Sequence, residues 1–163
     1  MADPLGPFER VVRKASRFVY AEPAAAETQH PFEYRNIHPM LPTVVRKLFD
    51  DGHYAQATFE AFKFVDREVA RLASSSNSGY KLMMAAFSES SPMLQLTPCK
   101  TISEKDEQKG FQFLFAGSVM AIRNPRGHEH SVVDSPDECL DHLAMASTLM
   151  RRLETAGYQL AAT

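Results

Sequence analysis

Cysteine is scarce in this chain. Two of them, Cys99 and Cys139, in 163 residues are too few for a disulfide framework and lack the spacing of a metal cluster, so both read as reduced thiols. Charge of one sign is also missing. Eighteen Lys and Arg against 20 Asp and Glu leave a formal net charge of −2, which excludes a global basic field for nucleic acid. Any such contact has to be local. No apolar run approaches the length that spans a bilayer, and the N-terminus, with Asp3, Pro4 and Pro7, lacks the shape of a signal peptide. These absences predict a soluble, cytoplasmic protein with no membrane partner. No stretch alternates apolar and polar residues for long enough to specify a sheet, and no internal repeat is present.

What is present is helical periodicity. With 44% apolar residues, the chain has the material for one domain and one core. Phe8 to Tyr20 reads as a short basic helix, with Arg10, Arg13, Lys14 and Arg17 on a solvated face, and the Pro-containing stretch after it reads as an arm. The chain is expected to divide into this segment and arm, residues 1–35, and a helical domain, residues 36–160. In His38–Gly52, Pro42 opens a helix striped by Leu41, Val44, Val45, Leu48 and Phe49, and Gly52 stops it. His53–Ser74 is the longest helical pattern. Phe59, Phe62, Val69 and Leu72 are expected inside, with Lys63, Asp66, Arg67, Glu68 and Arg71 mostly outside.

A short helix over Tyr80–Phe87 and an extended loop over Leu94–Ile102 follow, the loop held by Leu96 and Ile102. Ser103, with Asp106 three residues on, is the expected cap of the next helix. Ser135-Pro136-Asp137-Glu138 is the start signal of the last helix: a cap, a first-turn proline, and acids at the positive end. Leu140, Leu143, Ala144, Ser147, Met150 and Leu153 are its inner face, Cys139 is a small buried hydrophobe, and Gly157 stops it.

The chain is organised around Gly110–His130. Phe111, Leu114, Phe115, Val119 and Ile122 form one buried helix face, and Phe113, Ala116, Gly117 and Met120 a second. A helix apolar on two sides sits inside a bundle or between a bundle and a second copy of itself. The helix runs into a polar cluster of Arg123, Asn124, Arg126, His128 and His130. Arg123 and His128 are five residues apart, so on an unbroken helix they point about 140° from each other. Pro125 is expected to break the helix and Gly127 to let it turn, so that the two side chains converge. A guanidinium and an imidazole aimed at one spot can hold a phosphate and move a proton.

Arg123-Asn124-Pro125-Arg126-Gly127-His128 has the form of the Arg-x4-His signature of HEPN-domain ribonucleases. The wider text resembles their Ymh-type branch, from His38 through Asp51–Lys63, Leu82–Phe87 and Gly110–Glu129 to Glu138–Leu153. The resemblance implies an all-α, HEPN-like bundle of about five to six helices that pairs as a two-fold homodimer, bringing two signatures into one cleft. It also implies a metal-independent endoribonuclease with no cofactor, of the kind used as a toxin or antiviral effector, under the control of an antitoxin or sensor protein. By this resemblance Arg123 polarises the scissile phosphate, His128 moves the proton of the attacking 2′-hydroxyl, and Asn124 orients the pair. The products carry a 2′,3′-cyclic phosphate and a 5′-hydroxyl. Arg126 and His130 stand evenly between substrate contacts and solvated surface.

Two other classes compete. One is a non-catalytic module that binds RNA or a nucleotide, or mediates assembly in a defence system. The other is a metal-dependent hydrolase on His128 and His130, which alone supply two imidazoles and would need His38, His53 or His142 as further ligands.

Overall fold

The structure, a computed structural model, describes residues 29–129 and 131–161. The expected basic helix at Phe8–Tyr20 and the arm after it lie outside these residues. Every regular element among the described residues is helical, in keeping with the predicted all-α class. The elements are α1 Pro31–Tyr34, α2 Thr43–Asp50, α3 Tyr54–Leu72, α4 Gly79–Ala86, α5 Ile102–Ser118, a π-helical turn Val119–Arg123, α6 Asn124–His128 and α7 Pro136–Thr155. No helix among them is long and apolar enough to cross a membrane. The compact unit begins at Pro31, and α1 already buries Phe32 in the core.

α3 is the hub, packing against α2, α4, α6, α7 and the π turn. It can hold that place because Ala57, Ala61, Phe62 and Val69 are fully buried along it. Phe87, at the end of α4, stacks on Phe115 of α5 with ring centroids 4.3 Å apart. Each such side chain taken out of water contributes about 1.5–3 kcal/mol. α7 closes the bundle with Leu143, Leu149, Met150 and Leu153, and its start is as the sequence reads it. Ser135 Oγ accepts from the Glu138 N–H while the Glu138 carboxylate accepts from the Ser135 N–H, with Pro136 in the first turn. The positive φ of Gly157 (91°) ends the segment, and the Tyr158 hydroxyl accepts from the Gln95 N–H.

Several expectations fail for identifiable reasons. Asp66 and Glu68, expected outside, are buried because each has found partners. Asp66 accepts from the Gly79 N–H at 2.7 Å, and Glu68 takes Arg71 and the Ala161 N–H. The cap of α5 is Thr101 with Glu104, two residues ahead of the expected Ser103, so Ile102 opens the helix and stands 82% exposed instead of holding the loop down.

The largest departure is in α5 itself. Its inner side carries Gln108 and Gln112 beside Phe115, Ala116 and Val119. Gln108 accepts from the Leu96 N–H and donates to the Phe87 and Leu94 carbonyls, and Gln112 donates to the Met84 carbonyl. The glutamines close the backbone of the loop after α4. Leu114, expected inside, is 45% exposed, next to Phe113 and Met120 at 55% and 53%. Ala116 belongs to the inner face.

Candidate functional site

Pro125 does not break the helix. α5, the π turn and α6 run on without interruption from Ile102 to His128. The reason lies one turn earlier. A proline inside an α-helix lacks its N–H and its ring meets the carbonyl four residues back. The π turn widens the ladder just there, with the Asn124 N–H reaching the Val119 carbonyl. Such single-turn bulges recur at functional sites. Because residues 124–128 stay helical, the separation of about 140° between Arg123 and His128 stands. The expected convergence within one chain is corrected.

Arg123 leans inward. Its guanidinium lies 5.6 Å from the centroid of the Phe59 ring of α3, and Lys63 Nζ lies 5.7 Å from the same centroid. Arg123 Nη1 donates to Asn124 Oδ1 at 3.1 Å, so Asn124 touches the arginine it was expected to orient. Arg123 Nε is buried with no hydrogen-bond partner among the described residues, a donor left without an acceptor. Gly127 is what lets this end of the helix approach α3. A Cβ on it would come within 2.7 Å of Phe59. His128 is exposed at the C-terminus of α6, and no hydrogen bond or ion pair ties it to another described residue. His130 lies outside the described residues.

Arg126 is tied into the protein. Its Nε donates to Asp134 Oδ2 at 2.7 Å, its Nη2 to Oδ1 at 2.5 Å, and its Nη1 to the Ile122 carbonyl at 2.7 Å. Asp134 also accepts from Thr58 Oγ1 of α3 at 3.0 Å. With side chains 10% and 3% exposed, this is a buried bidentate pair, and removing one partner of such a pair typically costs about 3–5 kcal/mol. Burial works against the Asp134 charge, but the bonds from Arg126 and Thr58 outweigh it and hold the carboxyl below its ordinary range.

His142 of α7 completes the cluster. Its Nδ1 lies 3.4 Å from Arg126 Nη2 and 3.7 Å from Asp134 Oδ2. A guanidinium only donates, so Nδ1 facing it accepts and the neutral ring carries its proton on Nε2. Burial first, and then Arg126, push the His142 pKa down against the pull of Asp134, Glu138 and Asp141. Cys139, one turn earlier on α7, is fully buried, and burial chiefly pushes its thiol up to about 11. Such a thiol is no nucleophile near neutrality.

Thr58, Phe59 and Asp134 carry no motif. Asp134 reads as one more acid ahead of a helix start, and Thr58 meets it across 76 residues of chain. The other candidate metal ligands are dispersed. His38 is buried, with Nε2 2.9 Å from Glu154, and His53 is exposed ahead of α3. Among the described residues no group of three or more His, Cys, Asp and Glu is arranged to hold a metal ion.

Residues 35–153 match the family described as "Protein of unknown function (Hypoth_ymh)". No curated protein and no solved structure matches the chain.

Proposed function

This chain belongs to the Hypoth_ymh family, and we propose that it is a HEPN-type endoribonuclease, cutting RNA by 2′-hydroxyl attack without a metal and acting as a homodimer. The observation that carries the reading is the Arg123–Asn124 pair beside Phe59 and its counterpart, the exposed His128, at the Arg-x4-His spacing. A forked, permanently charged guanidinium suits the phosphate oxygens, and an exposed imidazole can take or give the proton of the ribose hydroxyl. Requiring the 2′-hydroxyl as nucleophile explains how such a site would cut RNA and spare DNA.

One chain holds Arg123 and His128 about 140° apart, so the reading needs the second copy. Two chains paired about a two-fold axis would set the His128 of one near the Arg123 of the other. The outer face of α5 supports that pairing. Phe113, Leu114, Gly117 and Ala121, with Ile122 and Met145, line an apolar groove of about 250 Å³. A toxin or antiviral effector in the cytoplasm, held in check by an antitoxin or sensor protein, is the setting in which such an enzyme would act.

The test is cleavage of mixed cellular RNA in EDTA by the wild type beside Arg123→Ala and His128→Ala. The expected outcome is fragmentation by the wild type, with 2′,3′-cyclic phosphate ends, and a loss of at least about 100-fold in each variant. RNA that stays intact while still binding would sink the enzyme and leave the RNA-binding module. Cleavage that appears only with an added divalent metal would favour the metal-dependent hydrolase.

A further inference from the structure

Residues 124–128, with Pro125 among them, are the last turn of the helix that runs on through the π turn, and the last turn of a helix is the part that frays. Its backbone closes with the Glu129 N–H on the Pro125 carbonyl at 2.9 Å. What grips the turn is the Arg126 side chain, three residues after Arg123 and two before His128. Arg126 reaches back to the Ile122 carbonyl and outward to both oxygens of Asp134. Asp134 is itself fixed from two directions. Thr58 binds its Oδ2 from α3, and the next residue, Ser135, is locked in the capping box of α7. One carboxylate therefore joins three elements and accepts from three protein donors.

We propose that Asp134 is the positioning residue of the Arg123–His128 segment, acting through Arg126, with Thr58 as its anchor on α3. The inference rests on the ribonuclease reading for its purpose, but its geometry stands without it. Arg126 spends its fork on Asp134, which makes it the fixed post between Arg123 and His128. The fork is essential to this role. Two parallel bonds fix the rotation of the turn about its own axis, which a single point contact leaves free.

The test uses the full chain as wild type, Asp134→Asn, Arg126→Lys and Thr58→Val, with hydrogen–deuterium exchange read residue by residue. Folded Asp134→Asn is expected to exchange the amides of Arg126–Glu129 at least about tenfold faster, with those of Leu143–Leu153 unchanged. Arg126→Lys keeps the charge and loses the fork, so it is expected to match Asp134→Asn. Thr58→Val should show a weaker form of the same effect, and it carries the test if Asp134→Asn does not fold.

The second arm measures turnover of a mixed-sequence single-stranded RNA oligonucleotide. A mispositioned segment is expected to lower kcat by about 100-fold with KM changed by less than about threefold. Unchanged local exchange in a folded variant, exchange that rises everywhere together, or full rescue by Arg126→Lys would overturn the proposal. If the wild type leaves RNA uncut while the local exchange still rises, the ribonuclease reading fails and the positioning role stands.

Discussion

His142 and Asp134 sit in one cluster and respond to acid in the same direction, for different reasons. The His142 pKa is pushed down by burial and by Arg126. Between that lowered value and about 6.5 the unfolded chain binds more protons than the folded one, so stability falls as pH drops through this window. The Asp134 pKa is also lowered, here because Arg126 and Thr58 prevail over burial. Its contribution is complete above the ordinary carboxylate value of about 4 and is lost as pH falls through the folded value. Thermal unfolding followed by circular dichroism from about pH 8 to 3.5 should therefore show two separate losses. His142→Asn is expected to flatten the upper one and leave the lower. The remaining histidines contribute equally to both proteins, so identical slopes near pH 6 would mean that His142 is not the residue responsible.

At the scale of the element, the helix from Ile102 to His128 is continuous and yet not uniform. Two of its three glycines meet opposite surroundings. A Cβ on Gly110 would meet nothing within 4 Å, whereas one on Gly127 would press on Phe59 at 2.7 Å. Gly110→Ala should therefore show the intrinsic helix gain, about 0.5–1 kcal/mol. Gly127→Ala should offset that gain with an overpacking cost of about 1–3 kcal/mol, leaving it neutral to about 2 kcal/mol less stable. Urea unfolding of the two variants reads the difference. If Gly127→Ala stabilises as much as Gly110→Ala, the Phe59 ring swings aside freely and is no fixed platform for Arg123. The same helix shows how a proline can be carried through: the π turn absorbs it, and Arg126 binds the Ile122 carbonyl inside that turn.

For the whole molecule, α5 inverts the usual arrangement, with glutamines inward and large apolar side chains outward. Phe113, Leu114 and Met120 are each about half exposed along one face (55%, 45% and 53%), with Met145 of α7 alongside at 37%. Gly117 in their midst has open space above it, which allows two helices to cross closely. A stable pairing through this face needs on the order of 1,000 Å² or more of total buried surface. Sedimentation equilibrium at about micromolar concentration should find the wild type dimeric. Met120→Glu should be monomeric with unchanged helix content, because the charge meets water in the monomer and an apolar surface in the dimer. A monomeric wild type would remove the composite site and with it the enzyme proposed above.

Periodicity and end signals made the all-α class legible, along with the place of α3, the cap and proline of α7, and the buried Cys139. These depend on spacings of three and four residues, which a sequence displays directly. The outer residues of the candidate site, Arg123, Asn124 and His128, were equally readable as a motif. Tertiary structure decided the rest. Which way α5 faces depended on the carbonyls that Gln108 and Gln112 found in the loop after α4, and Asp66 and Glu68 went inside because partners waited there. Whether Pro125 ended the helix depended on a π turn supported by α3. Where the Arg126 guanidinium went depended on a carboxylate that joins it to α3 and α7. A polar side chain goes where its hydrogen bonds are met, and at Asp134 the Thr58 donor lies 76 residues away in the chain.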